Sequence, residues 1–179
     1  MYIIVYVDNI LVAQIYNKSF GSIPIDLDYI NRSVEGIHNI TIQIFDNAGN
    51  RAEKKIMFIY DTTEPTCEIR SPKEGDVYGM EVEIEWYAED SLSGIMHVEV
   101  WVDSQLLYSK TYSSPQSYVY ETNITTIDYG EHKITLVVSD AAGNYAIDEV
   151  TINVKRRIIS PGILTLILVV IATTITTFV

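Results

Sequence analysis

The side chains of this chain that could do chemistry are mainly carboxylates, and their spacing points to a cation site. Calcium binds about six to eight oxygen ligands, which carboxylates, amides and backbone carbonyls supply. The strand connections predicted below place several acids at one end of a folded unit, beside Asn144; these acids are Asp61, Glu64, Glu89, Asp90 and Asp140. Because no EF-hand loop or Gly/Asp-rich calcium repeat is present, we expect no metal and no cofactor, and calcium at this cluster is the alternative.

Two histidines, His38 and His132, stand at equivalent places in the chain, which invites a catalytic interpretation. Each lies on the same face of a predicted strand as the apolar residues of that strand, and each is the first residue on that face. A histidine in this position is expected at the rim of the core, bonded to a neighbouring turn. No Ser/His/Asp or Cys/His set recurs with either residue, so we predict no catalytic residues and no enzymatic activity.

A repeated acid, Asp46 in one stretch and Asp140 in the other, precedes Gly49 or Gly143 by three residues. Aspartate side chains commonly accept a hydrogen bond from the backbone two residues on, and glycine tolerates a positive φ. We therefore predict a tight hairpin at each place. The alternative to this turn-forming role is that Asp140 binds calcium.

These residues belong to an internal repeat. Residues 36–50 recur at 130–144 at an offset of 94, and residues 5–8 align with 100–103 at an offset of 95. A repeat of this length indicates one unit copied in tandem. Residues 64–97 have no counterpart in the first copy, so we expect that copy to lack its start and the chain to be a fragment. The predicted domains are a truncated unit over 1–62, a complete unit over 63–154, and a basic juxtamembrane and transmembrane tail over 155–179.

Alternation of apolar and polar residues in the second copy is typical of half-buried strands. Val82, Ile84 and Trp86 share one face of a strand whose other face is glutamate. Turn residues separate seven predicted strands, a pattern that indicates an antiparallel sandwich; the strands lie near 66–70, 81–88, 98–103, 106–112, 117–123, 132–140 and 145–154. In the truncated copy, the inner faces of residues 3–7 and of the strand from His38 should lie exposed.

Several segments of the complete unit carry a resemblance to a known family. They are EPT at 64–66, SPKEG at 71–75, the strand with Trp86, DSLSGI at 90–95, VEVWVD at 98–103, and the block from 130 to 144. The unit resembles the tandem prokaryotic, archaeal-type Ig-like or fibronectin-III-like repeats of cell-surface proteins with a C-terminal membrane anchor. The resemblance implies an all-β fold of tandem Ig-like antiparallel β-sandwiches followed by a single transmembrane α-helix. It specifies function poorly, because such repeats serve as stalks, spacers and adhesion modules.

The C-terminal tail contains a predicted membrane anchor. Residues 158–179 are 22 residues without a charge, and a helix of about 33 Å spans a hydrocarbon core of about 30 Å. We therefore predict membrane lipid as a partner and a single-pass location in the cell membrane, with the Ig-like domains extracellular. The basic run at 155–157 predicts the opposite orientation by the positive-inside rule, and that orientation stays open.

The charges are distributed unevenly along the chain. All 24 acidic residues precede Lys155, together with nine of the 12 Lys and Arg residues, so this part carries a net charge of −15. Such a surface argues against nucleic acid as a partner, because nucleic-acid binding needs a basic patch. It suits a solvated surface that attracts cations. The single cysteine, Cys67, can form no disulfide within the chain and is predicted to be a small apolar strand residue.

Four N-x-[ST] tripeptides are candidate glycosylation sites, at Asn17, Asn31, Asn39 and Asn123. Together with the predicted anchor they favour an exterior location. Asn39 lies on the polar face of its strand, so a sugar attached there would not enter the core.

The sequence as a whole predicts a non-catalytic, membrane-anchored cell-surface protein that acts as a stalk, adhesion or structural module, with protein or glycan partners. Two alternatives stay open. The chain could be the display stalk of a larger surface hydrolase or protease, or a carbohydrate-binding or ligand-binding module that uses the exposed aromatic residues Trp101, Tyr87 and Tyr6. Tyr6 and Trp101 occupy equivalent outward positions, for which cross-strand packing is the plainer explanation.

Overall fold

The computed structural model describes residues 1–16, 22 and 34–157, and these residues form an all-β structure without a helix. The strands are β1 (Tyr2–Val7), β2 (Ile10–Tyr16), β3 (Gly36–Phe45), β4 (Arg51–Tyr60), β5 (Thr66–Ser71), β6 (Gly75–Tyr78), β7 (Glu81–Glu89), β8 (Ile95–Val102), β9 (Gln105–Gln116), β10 (Tyr118–Thr126), β11 (Gly130–Asp140) and β12 (Tyr145–Lys155). Strands β1–β4 make one sheet, which we name the N-terminal sheet. Strands β5–β12 make two sheets, which we name the C-terminal sandwich.

The C-terminal sandwich packs a three-stranded sheet, in the order β10-β7-β5, over a five-stranded sheet in the order β6-β12-β11-β8-β9. Alternation along β7 buries every second side chain, with Trp86 fully enclosed and the intervening glutamates facing outward. Strands β8 and β11 contribute Val98, Val100, Ile134 and Leu136 from the other sheet. Each such side chain stabilises the fold by roughly 1.5–3 kcal/mol, so this double layer dominates the stability of the unit.

The seven predicted strands of the second copy are present with ends that differ by a few residues, but the sandwich has eight. The additional strand is β6, which pairs in parallel with β12 from Gly75 opposite Ile152 to Tyr78 opposite Lys155. The prediction of a wholly antiparallel sandwich was therefore wrong at this edge. With only four residues, the first a glycine at φ 122°, β6 has too little alternation to be recognised from sequence.

The N-terminal sheet repeats the strand pairing of the larger sheet. Its order is β2-β1-β3-β4, which corresponds to β9-β8-β11-β12 in the five-stranded sheet. Val5 of β1 lies opposite Ile42 of β3, and Val100 of β8 lies opposite Leu136 of β11. These pairs are related by the offsets of the sequence repeat. The predicted domain limits at 62 and 154 stay predictions.

The inner face of the N-terminal sheet is less exposed than the sequence predicted. Val5 and Val7 are each 1% exposed and His38 is 5% exposed, whereas Ile44 and Ile56 on the same face are 40% and 44% exposed. The prediction that this face lies exposed was wrong for Val5, Val7 and His38. Burial is high on β1 and at the start of β3, and it is lower at the end of β3 and on the edge strand β4.

Several predictions concern residues outside the described ranges. The candidate anchor at 158–179 lies there, as do the glycosylation candidates Asn17 and Asn31. Within the ranges that the structure describes, no helix has the length and apolar character needed to cross a membrane. The membrane helix stays a prediction.

Candidate functional site

Asp61 lies directly after β4, in the segment that joins the N-terminal sheet to the C-terminal sandwich. Its carboxylate accepts hydrogen bonds from the amide nitrogens of Thr63 at 3.0 Å and Ser93 at 3.0 Å. Its backbone carbonyl accepts a hydrogen bond from Asn144 Nδ2 at 3.3 Å. These contacts hold the residue against the sandwich, and only 7% of it is exposed.

Asp90 follows β7 and begins the loop to β8. Its Oδ1 accepts hydrogen bonds from the amides of Leu92 at 3.1 Å and Gly94 at 2.5 Å, which closes the loop into a tight turn. Gly94 has φ 82°, a left-handed conformation that glycine adopts without strain. Asp90 Oδ2 accepts no hydrogen bond from the described residues, although the side chain is buried.

Asp140 ends β11 and forms the predicted hairpin with β12. Its Oδ1 accepts from the amides of Gly143 at 2.7 Å and Asn144 at 2.8 Å, and its Oδ2 accepts from Asn144 Nδ2 at 2.7 Å. Gly143 has the positive φ, 98°, that the sequence predicted for this turn. The same Asn144 amide group therefore bridges Asp140 to the Asp61 carbonyl.

These three aspartates, which we name the junction triad, come together at one end of the sandwich. Each offers a carboxylate oxygen, and the three oxygens lie within 4.8 Å of one another. All three side chains are buried. Among the described residues, no ion pair links any of them to a lysine, arginine or histidine. Within the described part of the chain, the groups that donate to these carboxylates are backbone and amide N–H donors, which carry partial positive charges.

The two other acids of the predicted cluster lie apart from it. Glu64 is exposed, and Glu89 is exposed with its Oε2 accepting a hydrogen bond from the Tyr87 hydroxyl at 2.6 Å. The alternation along β7 explains this, because Glu89 and the buried Ala88 face opposite sides of the sheet. The sequence therefore placed three of five acids correctly, and it missed Ser93, whose amide bonds Asp61 and whose hydroxyl is buried.

The first copy contains a counterpart of Asp140 that lacks the triad. Asp46 Oδ1 accepts from the amides of Ala48 and Asn50, each at 2.8 Å, and its Oδ2 accepts from Asn50 Nδ2 at 2.7 Å. This carboxylate is exposed. The bonds from Asn50 and Asn144 are thus equivalent in the two copies, and only Asp140 lies close to two further carboxylates.

Each repeated histidine is fixed by an aspartate of an adjoining turn. His38 Nδ1 bonds to Asp8 Oδ2 at 2.5 Å and Nε2 to the Val34 carbonyl at 3.1 Å. His132 Nδ1 bonds to Asp103 Oδ2 at 2.9 Å and its Nε2 to a backbone carbonyl at 3.0 Å. Both ring nitrogens of each residue are engaged, which leaves none to take a proton from a substrate. The arrangement agrees with the predicted structural role.

The sequence did not reveal Asp8 and Asp103 as the partners of the histidines, although the two aspartates occupy equivalent positions in the repeat. Both occupy the left-handed region, at φ 49° and 54°, and each also accepts a hydrogen bond from the backbone amide that follows the histidine. The hydrogen bond from His38 lowers the pKa of Asp8. The amide of Lys133 is the main cause that lowers the pKa of Asp103.

We predict that the His38 imidazole titrates above 6.5, because the hydrogen bond that it donates to Asp8 outweighs burial and raises its pKa. Its contribution to stability is therefore complete below pH 6.5 and is lost as the pH rises through the folded-state pKa. Asp8 contributes above pH 3.8 and loses this as the pH falls through its lowered pKa. A histidine NMR titration should show the His38 pKa falling in Asp8→Asn and unchanged in Asp103→Asn. An unchanged pKa in Asp8→Asn would contradict the assignment.

The aromatic residues of the carbohydrate-binding alternative are not brought together in the sandwich. Trp101 lies on β8, half-buried, with its Nε1 donating to Glu99 Oε2 at 3.0 Å. Tyr87 lies on β7 of the opposite sheet, and the Arg70 guanidinium sits 4.5 Å from its ring centroid. Because both side chains point away from the core on opposite sheets, they cannot contact one ligand. Tyr6 and Trp101 each pair with a leucine and a threonine across the strands.

The remaining predicted positions have simple surroundings. Asn39 is exposed on β3 and Asn123 is half-buried on β10, and their modification stays a prediction. Cys67 is half-buried on β5, and burial raises the pKa of its thiol to about 11. A thiol with such a pKa is a poor nucleophile at neutral pH.

Residues 65–136 match the family model described as Bacterial Ig domain. The Clostridium thermocellum CbhA fibronectin(III)-like modules are similar at 20% identity and a TM-score of 0.49, over 87% of this chain and 78% of theirs. A Jonesia denitrificans lytic polysaccharide monooxygenase is similar at 19% identity and a TM-score of 0.35, over 47% of this chain and 58% of its own. No curated protein sequence matches. Together with the two packed sheets, the family match makes the C-terminal sandwich an Ig-like module.

Proposed function

We propose that this chain is a non-catalytic surface protein in which tandem Ig-like units form a stalk, held to a membrane by residues 158–179. The linker between the units carries this proposal, because its polar groups bond to both sides. Glu35 accepts hydrogen bonds from Thr62 N and Thr63 Oγ1, each at 2.7 Å. Asp61, one residue earlier, bonds to Ser93 and Asn144 of the sandwich. A linker held on both sides resists free hinge motion between units.

The charge of the units suits a stalk that stands among others at a membrane. The outward face of β7 carries Glu81, Glu83 and Glu85, and the chain before Lys155 carries −15. Like-charged solvated surfaces repel one another and oppose association. The repeated strand pairing described above supports reading the N-terminal sheet as part of a second Ig-like unit.

The basic run before the proposed anchor is compatible with an exterior location of the units. Lys155 Nζ bonds to Asp76 Oδ2 at 2.6 Å, and the Arg156 guanidinium lies 5.4 Å from the Tyr129 ring centroid. Two of the three basic side chains therefore contact the sandwich. The ion pair with Asp76 offsets one of the three positive charges that would otherwise favour retention on the cytoplasmic side.

The anchor is tested by deleting residues 158–179. We expect the full chain to stay in the membrane pellet after alkaline carbonate washing and the deletion variant to become soluble. A variant with the same residues in scrambled order should stay in the pellet, because hydrophobicity, not the order of residues, drives insertion. Protease added outside intact cells should cut the full chain. A deletion variant that stays in the pellet, or a full chain that resists the protease, would contradict the proposal.

The display-stalk alternative differs in what precedes the units. Both proposals share the stalk and the anchor, so the sequence of the gene upstream of Met1 distinguishes them. A hydrolase or protease domain there would favour the display stalk, and further Ig-like units would favour the structural or adhesive role. Intact mass of the native protein tests the glycan prediction at Asn39 and Asn123.

A further inference from the structure

We propose that the junction triad, Asp61, Asp90 and Asp140, binds one calcium ion that ties the linker to the C-terminal sandwich. This inference concerns the sandwich and its linker and does not depend on the membrane anchor. Three buried carboxylates lie close together without a cationic side chain from the described residues. Burying several negative charges together without an opposite full charge is unfavourable, and a bound cation would supply that charge.

The separation of the three oxygens matches calcium. Ca–O distances run from about 2.3 to 2.6 Å, so two oxygens on one calcium ion stand at most about 5 Å apart. The triad oxygens lie within 4.8 Å of one another. Magnesium binds at about 2.0–2.1 Å and demands near-octahedral geometry, so it requires a tighter set of ligands. Oxygen-only ligands also disfavour zinc and copper, which prefer nitrogen and sulfur.

An oxygen outside the triad points to a ligand independently. The hydroxyl of Ser93 is buried and has no hydrogen-bond partner among the described residues, with Ser93 only 5% exposed. The amide of this residue donates to Asp61 Oδ2 at 3.0 Å, so the residue that carries the hydroxyl contacts the triad. Buried polar oxygens normally have partners, and a cation at the triad would supply one to this hydroxyl.

The loops around the triad hold the carboxylates in place for a cation. Backbone amides orient each one: Thr63 and Ser93 bond Asp61, Leu92 and Gly94 bond Asp90, and Gly143 and Asn144 bond Asp140. A carboxylate oxygen that accepts one such bond keeps a second lone pair for a metal. Since Asp61 belongs to the linker and the other two acids to the sandwich, binding fixes the linker to the sandwich.

The test is thermal unfolding of the full chain in detergent micelles after removal of metal with a chelator. We expect about 2 mM CaCl2, in the range that extracellular calcium modules require, to raise Tm by roughly 10 °C. The same concentration of MgCl2 should raise it by much less. Isothermal titration of the wild-type chain with CaCl2 should show one ion per chain.

Two variants make the test specific to the triad. Asp90→Asn retains the Oδ1 acceptor and replaces the unpartnered Oδ2 with an amide that can donate to the other acids. It should abolish the calcium response and raise Tm in chelator. Asp46→Asn changes the equivalent hairpin acid of the first copy and should retain the full response. The proposal is overturned if wild type shows neither heat nor a Tm change with CaCl2, if MgCl2 acts equally, or if Asp90→Asn responds like wild type.

Discussion

Replacing Trp86 with alanine is expected to destabilise the C-terminal sandwich by about 3–5 kcal/mol, the usual range for removing a buried aromatic side chain. Trp86 is 0% exposed, and its ring stands 5.1 Å from that of Tyr108, between centroids. Its register neighbours Ile69 and Glu121 come from the two flanking strands. Loss of the indole therefore opens a cavity where both sheets meet, and the backbone around it cannot collapse to fill it.

The matched control is the other tryptophan of the chain. Trp101 lies on the outward face of β8 and is only half-buried, so Trp101→Ala should cost no more than about 1 kcal/mol. Urea unfolding followed by far-UV circular dichroism measures both variants without using tryptophan fluorescence. Trp86→Phe should lose less than Trp86→Ala, because it retains an aromatic ring and removes a buried Nε1 that has no partner among the described residues. Equal losses for Trp86→Ala and Trp101→Ala would contradict the packing described above.

The second large effect is expected for Gly94→Ala, with a loss of about 3 kcal/mol. Gly94 has φ 82°, and an added Cβ would stand 2.8 Å from Pro115 Cβ and 3.2 Å from the Gln116 carbonyl oxygen. The left-handed conformation costs an alanine roughly 1–2 kcal/mol, and overpacking against neighbouring chain costs roughly 1–3 kcal/mol more. Because the obstruction is a proline ring and a backbone carbonyl, neither can rotate away.

The variant Gly143→Ala distinguishes the cost of the left-handed backbone conformation from the cost of the steric contact. Gly143 has φ 98° and no atom within 4 Å of an added Cβ, so Gly143→Ala meets the conformational cost alone. We expect it to lose about 1–2 kcal/mol. The measurement is the free energy of unfolding from urea titrations of both variants under the same conditions. If the two variants lose the same amount, the contact of Gly94 with the end of β9 is not close enough to matter.

The comparison of sequence and structure is clearest in β7 and β6. Alternation in β7 runs over nine residues, so the sequence showed both the strand and its buried face, including Trp86. Strand β6 has four residues and its partner lies in β12, far along the chain, so nothing local marks it. A strand can be recognised from sequence when the alternation of apolar and polar residues extends over enough positions. Pairing with a distant strand produces no local sequence pattern.

The candidate site shows the same division. The sequence by itself determined the hairpin at Asp140, because an aspartate followed by Asn-Ala-Gly or Ala-Ala-Gly forms its turn through bonds to nearby backbone amides. It also determined which side chains of β7 and β11 point inward. The sequence placed five acids at one end of the unit, and the tertiary structure decided which of them meet. Asp61, Asp90 and Asp140 do, whereas Glu64 and Glu89 do not, and the structure adds Ser93, whose amide bonds Asp61. Such contacts join residues tens of positions apart and depend on strand order and on the path of the linker, which local periodicity does not encode.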